Sequence, residues 1–335
     1  MPEPEAYKNK IICGNSLEVL KNFPSESIDM CMFSPPYYGL RDYGRNAETV
    51  WSDGWLGQLG LEPNTKMYVQ HMVEINHEIK RILKQTGSMY IVLGDTYAGS
   101  NCGRGDKTLF QNYRRMKVAE NLYDKPSPQA KTKEYKPKCL IGVPWRVAFA
   151  LIDDGWILRN CLVWFKPNHM PSSVKDRYSN TYEFIFFFVK NRKYYFNLDA
   201  IREPHTSIKD LGRKRTDQIH SKYYGIRPSG YLVQHPKGKN PGDCWSIPTK
   251  PFKETHFAVM PEDICVKPIL SSCPENGIVL DPFCGSGTTC VVAKKLSRNY
   301  IGIDINQRYC EIARQRLAQV PEKLTNFMEA KIVNG

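Results

Sequence analysis

Residues 278–304 hold two short apolar runs, 278–280 and 300–303, each closed by an aspartate (Asp281 and Asp304) and joined by a glycine turn and a helix-forming stretch, 288–296. Strands separated by a helix sit side by side in a parallel sheet, whose faces both need covering. The N-terminal half carries the same alternation. Apolar runs at 10–13, 28–33, 88–93, 157–165 and 183–190 predict strands, the last continuous enough for the middle of a sheet. Helical spacing of apolar residues predicts helices over 16–23, 67–83 and 141–154, then from Pro261 to about 272 and over 308–317. This alternation predicts an α/β, doubly wound, mostly parallel sheet.

Two stretches, 97–140 and 192–254, break the alternation and are read as insertions, the first as a flexible excursion. The segments 1–96, 141–191 and 255–320 then make one α/β domain, followed by a tail at 321–335. The chain has 335 residues and a formal net charge of +13. Residues 101–140 hold ten Lys and Arg against four Asp and Glu, and residues 190–255 hold fourteen against six, so the remainder is close to neutral. An excess confined to two Gly-, Pro- and Tyr-rich segments points to a polyanionic partner, whereas charge serving solubility alone would be spread more evenly. The 11 cysteines are odd in number and lack a CxxC pair, which favours reduced core thiols over disulfides or a metal site. No apolar run approaches the length of about 20 residues that a membrane span needs, and the first residues lack a secretory core, so a soluble cytoplasmic protein is expected.

In the 278–304 unit, glycines let the backbone approach a ligand closely, and the acid ending the second strand can accept from both hydroxyls of a ribose. A nicotinamide or flavin site shares these features, and an ordinary glycine turn would explain the glycines without the paired acids. Phe283, however, stands where the first glycine of GxGxxG would lie and would crowd a pyrophosphate. The pattern favours an adenosine-bearing cofactor without phosphate, such as S-adenosyl-L-methionine, whose ammonium Asp281 can meet.

After the run 28–33 the chain reads Ser34, Pro35, Pro36, Tyr37. Prolines cannot continue a central strand, so Ser34 opens a loop at a strand's carboxyl end, where open parallel sheets hold ligands. Ser34 Oγ and the Pro35 carbonyl offer two acceptors on a loop stiffened by proline, and Tyr37 offers a flat face for a base. Such a set suits an exocyclic base amine, whose lone pair is delocalised into its ring. Accepting both amine hydrogens favours a pyramidal nitrogen with its lone pair turned toward an electrophile. Taken alone, the tetrapeptide also reads as an exposed polyproline turn. Alkylation at a pyrimidine carbon would call for a thiolate presented after a proline, and no cysteine here follows one.

With both motifs in this order, the chain resembles the amino-methylating DNA methyltransferases of the β permutation. The resemblance rests on IICGNSLEVL, SPPYYGLRDYG, IGVPWRVAFAL, WFKPNHMP, RYSNTYEFIFFF, GDCWSIP, HFAVMPEDI, DPFCGSGTT and IGIDIN. It implies that Ser34 to Tyr37 form the catalytic loop and that Ser in first place selects cytosine N(4), Asp or Asn being usual for adenine N(6). It also implies that Phe283, Cys284, Gly285, Ser286 and Gly287 wrap S-adenosyl-L-methionine, that Asp304 holds its ribose, and that the 256–261 segment with Phe257 holds its methionine end. Asn15 stands where many relatives carry Asp beside the adenine. Residues 192–254 take the target-recognition position, with Arg213, Lys214, Arg215, Lys237 and Lys239 as phosphate contacts on double-stranded DNA. A companion restriction endonuclease and a homodimer are further expectations of this resemblance.

Overall fold

The computed structural model describes residues 6–99, 134–205, 234–250 and 260–321, together with the backbone of the short strands Lys125–Pro126, Ile219–Ser221 and Gly225–Arg227. The main sheet has 8 strands. In chain order they are β1 (Lys10–Cys13), β2 (Ile28–Phe33), β3 (Leu83–Leu93), β4 (Ile157–Phe165), β5 (Tyr182–Val189), β6 (Cys244–Ser246), β7 (Ile278–Asp281) and β8 (Asn299–Asp304). Across the sheet the order is β1-β8-β7-β2-β3-β5-β4-β6, and all run parallel except β5, which opposes both β3 and β4.

Helices cover both faces. α1 (Ser16–Lys21), α2 (Thr65–Ile82) and α3 (Val143–Asp153) pack on one, with Leu20, Tyr68, Ile75, Val147 and Leu151 buried there. α4 (Glu262–Ser272), α5 (Thr288–Lys295) and α6 (Gln307–Ala318) cover the other, burying Ile264, Ile269, Val292 and Ala313. This double cover explains the unbroken apolar run of β5. Phe186 and Phe188 enter the first core, while Ile185, Phe187 and Val189 enter the second. Each large side chain so buried contributes on the order of 2 kcal/mol.

Side-chain caps set where the helices begin. Asn15 accepts from Glu18 N, Asn64 from Met67 N and Asn306 from Arg308 N, which satisfies amides that have no partner within the helix. At the start of α3 the Asp95 carboxylate accepts from the amides of Gly142 and Val143. The expected helix at 67–83 is thus Thr65–Ile82, begun by Asn64. β3 starts at Leu83 and carries Gly87 within it, next to a register shift opposite Ile28 and Met30, whereas the glycine had suggested a break before 88.

β6 lies inside the second basic stretch and was not predicted; at three residues it is too short to show periodicity. The first basic stretch returns to the core at residues 134–140. There Glu134 accepts from the amide and hydroxyl of Thr65, and Ala98 N donates to the Cys139 carbonyl. The expected flexibility of 97–140 otherwise falls outside the described residues. No helix among the described residues is long and apolar enough to cross a membrane, and the described cysteines are all free thiols.

Candidate active site

β2 and β7 lie side by side, Val279 opposite Met30 and Leu280 opposite Cys31. From this pair the chain leaves in opposite directions, β7 passing through α5 to β8 and β2 passing through α2 to β3. Such a switch point opens a crevice at the carboxyl ends of the strands. The serine-proline loop leaves β2 and the glycine turn leaves β7, so the topology brings both motifs to one place. A cavity of about 450 Å³ lies between them, lined by Asn15, Ser34 to Tyr37, Trp164, Lys166, Glu183, Asp281, Phe283 to Ser286 and Asp304. That is the size range of cofactor and ligand pockets. The Phe33 and Phe283 rings meet at 5.7 Å, and Ser16 Oγ donates to the Pro282 carbonyl, closing the floor between the two loops.

Ser34 Oγ donates to Tyr37 Oη at 3.2 Å, and Tyr37 Oη donates to Glu183 Oε2 at 2.9 Å. Lys166 Nζ pairs with Glu183 and lies 4.3 Å from the centroid of the Trp164 ring. Burial, with the Glu183 carboxylate adding to it, pushes the Tyr37 phenol well above its ordinary value, so it remains a donor. Among the described residues none donates to the Pro35 carbonyl. The loop therefore presents a hydroxyl oxygen together with a carbonyl that has no donor among the described residues.

The loop is braced from behind. Tyr68 Oη on α2 donates to the Pro36 carbonyl at 2.9 Å. Gly39 N donates to the Gly60 carbonyl, and a Cβ on Gly60, whose φ is +93°, would lie 2.9 Å from the Tyr37 carbonyl. Glu62, fully buried, accepts from Gly60 N at 2.8 Å and meets His71 Nδ1 at 3.0 Å, while Asp53 meets His71 Nε2 at 3.3 Å.

In the glycine turn, Asp304 Oδ2 accepts from Gly285 N and Oδ1 from Asn306 N, both at 2.8 Å, so this carboxylate shapes the turn. A Cβ at Gly285, φ +50°, would meet no protein atom within 4 Å, leaving the turn open to a ligand. Asp281 is buried with no cation beside it among the described residues. Burial pushes its carboxyl up to about 7, partly offset by the hydrogen bond from Phe283 N. A cationic ligand group would relieve that cost.

A family model described as a DNA methylase, covering N(6) and N(4) enzymes, matches residues 28–315. The chain belongs to the N(6)/N(4) DNA methylase family. This methylase is 36 % identical over 309 residues to the type II methyltransferase M.SmaI of Serratia marcescens, covering 92 % of this chain and 90 % of that one. It is 38 % identical over 304 residues to M.Cfr9I of Citrobacter freundii, covering 91 % and 86 %. Among solved structures it shares its fold with the PvuII DNA methyltransferase, titled cytosine-N4-specific, at TM-score 0.61 and 19 % identity over 97 % of this chain and 92 % of that one. A putative DNA modification methylase of Thermus thermophilus, crystallised with S-adenosyl-L-methionine, matches at TM-score 0.53 and 19 % identity over 94 % and 96 %.

The predicted residues of this methylase thus fall into four groups. Ser34, Pro35, Pro36, Tyr37, Asn15, Asp281, Phe283, Cys284, Gly285, Ser286 and Asp304 line the one cavity. Gly287 lies behind it as the start of α5, its missing Cβ making room for Ala313. Lys237 and Lys239 do not line the cavity but pair with Asp199 and Glu203, at 2.8 Å and 3.7 Å. Phe257, Arg213, Lys214 and Arg215 lie outside the described residues.

Sequence reasoning did not single out Glu183, Gly94 or the brace of Glu62 and His71. Glu183 has one visible signal, a lone acid at the head of a continuous apolar strand.

Proposed function

We propose that this methylase transfers a methyl group from S-adenosyl-L-methionine to the 4-amino nitrogen of a cytosine flipped out of duplex DNA. When bound, S-adenosyl-L-methionine supplies a methyl carbon made electrophilic by its sulfonium. The open backbone at Gly285, the Asp304 carboxylate and the buried Asp281 carboxyl, with no cation beside it among the described residues, suit its adenosine and its ammonium. Ser34 Oγ and the Pro35 carbonyl accept the two amine hydrogens, holding the nitrogen pyramidal with its lone pair facing that carbon. One N–C bond forms as one S–C bond breaks, and the displaced proton leaves to water.

The observation that carries this reading is the pair of acceptors standing in one cavity with the glycine turn. Ser in first place favours cytosine. The cost of extruding the base is offset in part by stacking on aromatic faces such as Tyr37. The designation of the relatives as type II methyltransferases supports a site-specific enzyme, and Arg213, Lys214, Arg215, Lys237 and Lys239 are its proposed phosphate contacts on the duplex.

The test is to treat duplex DNA with methyl-labelled cofactor, digest to nucleosides and map the labelled position. N(4)-methylcytosine is expected, and N(6)-methyladenine in its place would overturn the choice of base. Ser34→Ala is expected to lower turnover roughly 10- to 100-fold, as the loss of one oriented acceptor does, with DNA and cofactor binding held. Parental turnover in that variant would refute the role given to the hydroxyl.

A further inference from the structure

One acceptor of this pocket, Ser34 Oγ, is wired through Tyr37 to an acid that the proposed transfer does not itself use. Glu183 is the second residue of β5, the one antiparallel strand of the main sheet, which places it beside the carboxyl end of β3 and over the catalytic loop. Its carboxylate takes Tyr37 Oη at 2.9 Å and pairs with Lys166, both side chains of the pair being 19 % exposed. Gly94 makes room for this contact, since a Cβ there would come within 2.8 Å of Tyr37 Cε2 and 3.4 Å of Glu183 Cδ.

Charge dictates the direction of each bond in the chain. A carboxylate only accepts and an ammonium only donates. The single phenolic hydrogen of Tyr37 is therefore committed to Glu183, its oxygen is left to accept, and Ser34 Oγ gives its own hydrogen to it at 3.2 Å. Ser34 then meets the cavity with lone pairs alone.

Resting on the amine-transfer reading above, we infer that Glu183 is a positioning and specificity-determining residue. Through Tyr37 it makes Ser34 an acceptor-only group, so the pocket takes a base with an amine at the reacting position and rejects one with a carbonyl there. Uracil in place of cytosine is the direct comparison, because it differs at that ring position by the presence of a carbonyl oxygen where cytosine carries its amine. The raised Tyr37 phenol keeps the relay loaded in this direction.

Glu183→Gln is nearly isosteric and tests the wiring. With Lys166 holding the amide oxygen, the amide N–H faces Tyr37 and reverses the chain, turning the Ser34 hydrogen toward the amine. Turnover should fall roughly 10- to 100-fold, and the preference for a cytosine over a uracil duplex at the mapped target, read as a ratio of Kd values, should shrink about tenfold. In a Tyr37→Phe background the relay is already cut, so adding Glu183→Gln should change neither quantity by more than about twofold. Unchanged melting temperature and cofactor Kd would show that the variant is folded. Should Glu183→Gln unfold, Tyr37→Phe alone supplies the test, because freeing the Ser34 hydroxyl must weaken the base preference.

Glu183→Gln with wild-type turnover and preference, or an equal loss in both backgrounds, overturns the inference and leaves amine transfer standing. Absence of labelled methyl on the amine with the wild-type enzyme would overturn both.

Discussion

Asp281 gives the site its pH dependence. Its carboxyl, pushed up to about 7 by burial, is ionised above that value and protonated below it. A cofactor ammonium is attracted by the ionised form, so binding has to displace a proton at lower pH. Cofactor affinity is therefore expected to be flat above about 8 and to weaken by close to tenfold per pH unit well below 7, with a proton released on binding near neutrality. Calorimetry in two buffers of different ionisation heat measures that proton directly. Asp281→Asn should flatten the profile.

Gly94 offers a second single-residue test. Gly94→Ala would drive a methyl group into the Tyr37 ring and toward Glu183, and the strand end leaves the ring as the part that moves. Methyl transfer should drop at least about tenfold while the fold loses on the order of 1–2 kcal/mol, measured by single-turnover kinetics and denaturant melts.

Among the elements, the segment from Trp51 to Glu62 acts as a strap behind the catalytic loop. His71 on α2 is its anchor, stacked 4.1 Å from the Trp51 ring and 5.5 Å from that of Trp55, with Glu62 and Asp53 on its two nitrogens. Removing the imidazole leaves Glu62 buried with backbone amides, its own and that of Gly60, as its remaining donors among the described residues. His71→Ala is expected to cost about 3 kcal/mol, visible as a lower Tm, and to slow turnover by loosening Gly60 beneath Tyr37. α5 and α6 hold the glycine turn by a different device. Gly287, φ +80°, brings the start of α5 against α6, and Arg316 on α6 donates to the carbonyl and hydroxyl of Ser286. A Cβ at Gly287 would lie 2.8 Å from Ala313 Cβ, so Gly287→Ala should destabilise by about 2 kcal/mol and weaken cofactor binding, as a thermal melt with and without cofactor would report.

Over the whole molecule, the positive charge is concentrated in two stretches of the sequence, 101–140 and 190–255, while the remainder is close to neutral. If those segments hold the duplex, DNA affinity should fall steeply with salt. Replacing Arg213, Lys214 and Arg215 by Ala should then reduce the slope of log affinity against log salt by about 0.9 for each phosphate no longer neutralised, without changing which base is methylated.

The local plan was legible in the residues. Seven main-sheet strands and the helices on both faces follow from apolar periodicity, because a side chain's neighbours along the chain already say which face is buried. The two motifs announced themselves through proline, glycine and aspartate, whose backbone demands are local too. Strand order, by contrast, is a long-range matter. Nothing near Glu183 in sequence says that β5 runs backwards beside β3, yet that reversal alone puts its carboxylate on Tyr37. His71 likewise reads as one polar residue on an amphipathic helix until Glu62 and Asp53 close around it. Local pattern thus carried the chemistry of the acceptors and the glycine turn, while the wiring that orients them came from contacts between segments distant in the chain, which only packing brings within hydrogen-bond reach.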